Sequence, residues 1–257
     1  MNAKTLSTFL TISFFLTSCI SPPPAESDAP TARPDLQRNE YRLIGAPPVE
    51  STTLHFADLP PEDRNARARG MEVWAFPVRC DQNINRDVRA WCVQKGEEVW
   101  LALPDYTPDV MAVILTRNGE EVYRVPIGQP SPTLDIMGLW LWDNHWALET
   151  VYTTGEENQV KMTGQISLDG VWLNAQQGYE EAFGFQLLAE RPFFFFEHKG
   201  TIHAWYDGEV LELGYEEVPH YLCCSWAPQN PVAFKNMVSF FGRRGETWYY
   251  VEIVPAR

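Results

Sequence analysis

From about residue 70 to the C-terminus, the chain alternates short aromatic and β-branched runs with turn signals. The turn dipeptides are Asn118-Gly119, Asp169-Gly170, Lys199-Gly200, Asp207-Gly208 and Arg244-Gly245. Asn-Gly and Asp-Gly accept the positive φ angles of tight hairpins, so they predict antiparallel connections. The clearest stretch is 183–213, where FGFQLL, FFFFEH, TIHAWY and EVLEL read as a four-stranded meander. A two-residue turn at Lys199-Gly200 puts Phe193, Phe195, Ile202, Ala204 and Tyr206 on one face of its central hairpin. Phe194, Phe196, Thr201 and Trp205 fall on the other. Both faces are apolar, which predicts a sheet covered on both sides. The one helix the pattern suggests runs from Pro60 to Arg69, stopped by Gly70.

The meander repeats. DGVWLNAQQGYEEAFGF (169–185) aligns with DGEVLELGYEEVPHY (207–221), and FFFFEHKGTIHAWY (193–206) with VSFFGRRGETWYYVEI (238–253). Upstream, LWLWDNHWALETVY, QVKMTGQISL and VWLN again end just before Gly-Tyr-Glu-Glu. A four-strand unit recurring at roughly 36–38 residues is the signature of a propeller blade. The expected fold is therefore all-β, built of repeated four-stranded antiparallel meanders in a small or incomplete β-propeller-like array. A two-sheet β-sandwich is the alternative. Residues 98–257 form the repeated domain, with 98–127 as a further unit and an insertion at Ser225 to Asn236 interrupting the last. Residues 41–97 read as a lead-in that wraps the first unit and contributes an edge strand.

The N-terminus predicts an address. Lys4, the apolar run Leu6 to Leu16 and the small residues after it form a signal peptide over 1–18. That run is shorter than the roughly 20 residues a membrane-spanning helix needs. Leu16-Thr17-Ser18-Cys19 resembles the lipobox of bacterial lipoproteins. That resemblance implies cleavage before Cys19 and acylation of its thiol, so the membrane becomes a partner through the N-terminal lipid. Residue 20 is Ile rather than the Asp that retains enterobacterial lipoproteins at the inner membrane. Residues 19–40, with five prolines among 22, 23, 24, 30 and 34, read as the lipidated cysteine followed by a disordered tether. The expected location is extracytoplasmic, anchored by lipid to a bacterial cell or outer membrane.

Charge and cysteines narrow the function classes. The chain has 20 Lys+Arg against 34 Asp+Glu, a formal charge of −14. Such a balance repels phosphate backbones and anionic headgroups, so nucleic acid is not an expected partner. Apart from Cys19, the cysteines are Cys80, Cys92, Cys223 and Cys224. An even set in an oxidising compartment predicts disulfides. Three pairings are open. A local Cys80–Cys92 bridge with a vicinal Cys223–Cys224 bond is the first choice; the other two stitch the 80–92 loop to the 223–224 segment.

Candidate chemistry is thin, and no cofactor motif is present. His198 and His203 share a face of the 193–206 hairpin and could hold Zn²⁺ or Cu²⁺, with no third ligand apparent. Asp81, Asn83, Asn85 and Asp87 alternate like the opening of a calcium loop. Arg86 and Cys92, however, stand where its glycine and glutamate belong. Glu180-Glu181 and Glu216-Glu217 are paired carboxylates, yet they recur at one point of the repeat and so read as architecture. Nucleophile elbows, zinc-protease helices and phosphate loops are absent. The strongest anomaly is aromatic content: ten Trp, ten Tyr and fourteen Phe. Trp140, Trp142 and Trp146, with Trp226 downstream, would form a stacking surface for a sugar or peptide if exposed.

Two function classes follow. One is a non-enzymatic binding or scaffold domain that recognises a polysaccharide, a peptide or an envelope protein. The other is a surface hydrolase whose dispersed carboxylate or metal site would draw on Asp143, His145, Glu197, His198, His203 or His220. The segments Gly214 to Glu217, His220 to Ser225 and Asn236 to Ile253 also resemble a class of secreted bacterial β-rich proteins. That resemblance implies an extracytoplasmic β domain and nothing about chemistry.

Overall fold

A computed structural model describes residues 35–47, 90–106, 111–127, 134–154, 161–221, 232–233 and 236–256. The signal segment, Cys19, the 60–69 helix, the 81–87 loop, Cys80, Cys223, Cys224 and Trp226 lie outside the described residues.

The described residues form four sheets, each of four antiparallel strands. In chain order the strands are β1 (Leu36–Arg42), then β2 (Trp91–Lys95), β3 (Glu98–Tyr106), β4 (Met111–Arg117) and β5 (Glu120–Ile127). The second sheet holds β6 (Leu134–Trp142), β7 (His145–Thr154), β8 (Lys161–Leu168) and β9 (Val171–Trp172), after which comes helix α1 (Leu173–Gln177). The third sheet holds β10 (Glu181–Leu188), β11 (Arg191–His198), β12 (Thr201–Tyr206) and β13 (Glu209–Tyr215). The last has β14 (Val232–Ala233), β15 (Val238–Arg244) and β16 (Thr247–Pro255), with β1 as its fourth strand. Four separate meanders packed in chain order are the propeller-like arrangement, and the two-sheet sandwich is set aside.

Turn chemistry sets the registers. Both central residues have positive φ at Asn118-Gly119 (53°, 84°), Asp169-Gly170 (49°, 84°), Lys199-Gly200 (53°, 71°) and Asp207-Gly208 (49°, 92°), as a type I′ turn requires. The fifth signal is displaced by one residue. Arg244 pairs with Thr247, so the turn is Gly245-Glu246. A sixth hairpin turns on Ala189-Glu190, both at positive φ, where no glycine or asparagine announces it.

Side chains carry the same pattern from sheet to sheet. Asn118 Oδ1 accepts the Val99 amide at 2.9 Å, and Asp169 Oδ1 accepts the equivalent Trp146 amide at 2.8 Å. In the third sheet that position is Pro192, which has no N–H to give. Asp207 there pairs instead with Arg191 at 2.6 Å. The Gly-Tyr-Glu-Glu repeats are equally regular. Glu180 N donates to Glu197 O at 3.0 Å and Glu216 N to Arg243 O at 2.9 Å. The first carboxylate of each pair then caps the next hairpin, accepting from Lys199 N at 3.0 Å and from Gly245 N at 3.3 Å. The run VWLN is not a continuous strand. Asn174 accepts the Ile166 amide at 3.2 Å and donates to the Gly164 carbonyl at 3.0 Å. Its side chain takes over from strand backbone, which lets the chain turn into α1.

Among the described residues, three cores lie between successive sheets. Ala102, Val113, Leu115 and Leu139 fill the space between the first and second. Ala147, Ile166, Phe185, Phe194 and Phe196 lie between the second and third. Phe183, Phe193, Phe195, Tyr206, Phe240 and Val251 lie between the third and last. The third sheet is thus covered on both faces, with the two residue sets expected from the 193–206 hairpin.

The last sheet is closed by the opposite end of the chain. β1 pairs with β16 from Leu36↔Pro255 to Arg42↔Tyr249. The strand begins at Leu36, so the tether expected to reach residue 40 stops before it. The lead-in over 41–97 gives the first unit an edge strand, β2, which pairs with β3, while β1, drawn mostly from the stretch before the lead-in, joins the last unit. Glu40 fastens it. The Tyr215 hydroxyl donates to Glu40 Oε1 at 2.6 Å, Arg244 reaches the same oxygen at 3.2 Å, and Arg38 lies 3.3 Å away. Burial opposes the charge, but the donors from Tyr215 and Arg244 hold the Glu40 carboxyl below the ordinary range. Gly242 makes room for this knot, since a Cβ there would stand 2.7 Å from the Tyr215 ring.

A carboxylate whose folded value is depressed contributes stability above its unfolded value and loses it as pH falls through the folded one. Glu40→Gln is therefore expected to cost about 1–2 kcal/mol at neutral pH, with the gap to wild type closing in acid. Urea unfolding at a series of pH values checks this; a gap that stays constant into acid would contradict it.

Candidate functional site

Two places gather polar chemistry. The first is a buried network joining the second and third sheets to the chain that leaves β13. Glu149, on β7, is 3% exposed and Glu181, on β10, is 5% exposed. Glu149 Oε1 accepts Gly184 N at 2.9 Å and the Tyr221 hydroxyl, and Oε2 accepts Phe185 N at 2.7 Å. Burial pushes the Glu149 carboxyl up, against the pull of these three donors and of His220. Burial and the neighbouring Glu149 likewise push the Tyr221 hydroxyl well above its ordinary value.

Glu181 Oε1 accepts Gly164 N at 2.7 Å and lies 3.1 Å from His220 Nε2. His220 Nδ1 faces the Val218 carbonyl at 2.6 Å, and its ring stacks on Phe183 at 3.5 Å. Both ring nitrogens therefore face oxygen atoms. Only glycine fits at 164, because a Cβ would lie 2.6 Å from the Tyr221 hydroxyl and 2.5 Å from the Ala182 carbonyl. Backbone amides, the Tyr221 hydroxyl and His220 meet the two buried carboxyl groups, which makes the network a fastening between sheets.

The second place is an open cleft of about 900 Å³ between the first and second sheets. The hairpin turns Gly96-Glu97 and Asp143-Asn144 border it, and Trp100 and Trp146 form its apolar wall. Its cations are already engaged. Lys95 Nζ donates to the Asp143 carbonyl, and Arg117 pairs with Glu98 while lying 5.5 Å over the Trp100 ring. His145 Nδ1 is 2.6 Å from Asp169 Oδ2, and Asp169's other oxygen is held by the Trp146 amide. No hydroxyl or thiol side chain is among the described residues that line the cleft.

The sequence candidates are scattered over this frame. Asp143 and His145 meet in the cleft, whereas His220 joins the buried network with Glu181. Glu197 stands opposite Glu181 across the strand pair. His198 and His203 share a face of the third sheet, as expected. His203 stacks on Phe196 at 5.2 Å and faces Glu212 across the strand pair, and burial draws its pKa down. Among the described residues, no group of three His, Cys, Asp or Glu is placed to hold a metal.

The tryptophan row needs correction. Trp140 and Trp142 pack on Phe185, at 5.0 and 5.7 Å, in the core between the second and third sheets. Trp146 points to the opposite face, against Tyr123 at 5.2 Å. Alternation along the hairpin separates what is close in sequence, and Trp140, Trp142 and Trp146 are all partly buried. Cys92 is buried on β2, at 5% exposure.

Sequence reasoning missed Glu149, Tyr221 and most of the cleft. A lone glutamate inside the apolar strand HWALETVYTT was the available signal for the first. No protein-family model matches the chain, and no curated protein is similar to it.

A carboxylate raised by burial favours the protonated folded state, so stability falls as pH climbs from the ordinary glutamate value through the raised one. Glu149→Gln is expected to abolish that component of the pH slope, whatever it does to stability itself. Unfolding free energies of both proteins between acid and neutral pH test this; identical slopes would show that Glu149 carries no shifted proton.

Proposed function

We propose that this chain is a lipid-anchored, extracytoplasmic binding domain that captures its ligand without catalysing a reaction. The observation that carries the reading is the cleft between the first and second sheets. It combines two half-buried indoles with polar groups on hairpin turns, the mixture that small-ligand and side-chain recognition sites use. The Leu16 to Cys19 motif supports the anchor, and the start of β1 at Leu36 leaves a proline-rich spacer of the kind a tethered domain needs. The bridge we propose for the buried Cys92 belongs to the same export route, with Cys80 its first-choice partner.

Replacing Cys19 by Ser is expected to move the protein from the detergent phase to the aqueous phase on phase separation, because the anchoring acyl chains are lost. Partition unchanged by the substitution would reject the anchor. Intact mass without reductant is expected to rise by about four hydrogens on reduction if both disulfides form; an unchanged mass would reject the bridges.

A second reading, a surface hydrolase, is favoured by one observation. The His145 ring is oriented by Asp169 in the cleft and could serve as base toward a water molecule. Under that reading His145→Ala would abolish hydrolysis of a surface polymer, whereas under the binding reading no turnover exists to lose.

A further inference from the structure

We infer that the cleft selects an organic cation, an amine or guanidinium, seated against Glu97 and Asp143 with its alkyl part along Trp100 and Trp146. The inference rests on the reading that the cleft is the binding surface, and it adds the class of ligand. Four carboxylates, those of Glu97, Glu98, Asp143 and Asp169, border the cleft. Glu98 is engaged by Arg117 and by the Trp100 indole N–H at 3.1 Å, and Asp169 by His145 and the Trp146 amide. Glu97 and Asp143 stand exposed on the two facing turns, outside those contacts.

Both cations of the lining are spent inside the protein. Lys95 seats its ammonium on the Asp143 carbonyl, and Arg117 lies over the Trp100 ring. These intramolecular contacts display the chemistry the walls offer: carbonyl and carboxylate oxygens for ammonium N–H groups, and an indole face for a guanidinium. An anionic ligand would meet surplus negative charge here and on the chain as a whole, at −14.

The test is calorimetric titration of the full chain with spermidine and with arginine amide. Citrate, maltohexaose and calcium chloride at matched ionic strength are the comparisons, and indole ¹H–¹⁵N shifts report the place. The expected result is saturable binding of both organic cations, weakened by added salt, with shifts at Trp100 and Trp146. The double variant Glu97→Gln/Asp143→Asn should weaken binding by about tenfold or more. Asparagine tolerates the positive φ of 43° at residue 143, and an unchanged melting temperature certifies the fold. Should the variant melt early, the salt dependence and the indole shifts of the unaltered protein decide. Citrate, maltohexaose or calcium shifting those indoles while the organic cations do not would overturn the inference and leave the cleft as a binding surface. Shifts at neither indole with any of the five probes would overturn both.

Discussion

The pairing of β1 with β16 is the contact on which the rest of the array depends. Strands at the edge of a sheet expose unpaired amides and carbonyls, and without β1 the long strand β16 would be that edge. Instead, residues 36–42 return from the N-terminal end to lie along residues 249–255. The last sheet can then bury Phe240 and Val251 against the third, and the third is sealed between two neighbours. The closure is also specific. Glu40 receives the Tyr215 hydroxyl from the third sheet and Arg244 from the last, so one carboxylate ties the returning strand to both. Residue 36 follows directly on the proposed spacer, which places the closing strand next to the point where an anchor would pull.

Much of the frame was legible because it is written in local chemistry. Asn118-Gly119, Asp169-Gly170, Lys199-Gly200 and Asp207-Gly208 adopt the backbone their residues favour. The two faces of the 193–206 hairpin follow from a period of two. Other features depend on partners distant in sequence. Nothing in LQRNEYR says that it completes a sheet over two hundred residues away. Ala189-Glu190 turns at positive φ against its own preference, held by the strands on either side. The Gly-Tyr-Glu-Glu repeat was readable as architecture. That its first glutamate caps a later hairpin depends on how the strands after it pair.

The candidate site was less legible than the fold, for a physical reason. Tryptophan content marks where space must be filled, not which indoles face solvent, and Trp140 and Trp142 fill an inter-sheet core while Trp146 borders the cleft. The cleft itself is assembled from turns of two sheets, whose spacing is absent from either repeat alone. Buried charge divides similarly. Glu149 and Glu181 resemble a catalytic pair by type, yet each is engaged by backbone N–H and by the Tyr221 or His220 that follows β13. Fastening falls to a sealed network between sheets, and the proposed binding to an open, acidic cleft at the turns.

The central claim, that the N-terminal strand completes the last sheet and stabilises the array, is tested most directly by comparing chains that begin at residue 35 and at residue 43. The account predicts that the first unfolds in one cooperative transition with the stability of the full chain. The second should lose several kcal/mol, on the order of the whole stability of a small domain, together with amide-exchange protection along β16. Equal stability and unchanged protection of residues 249–255 in the shorter chain would contradict it.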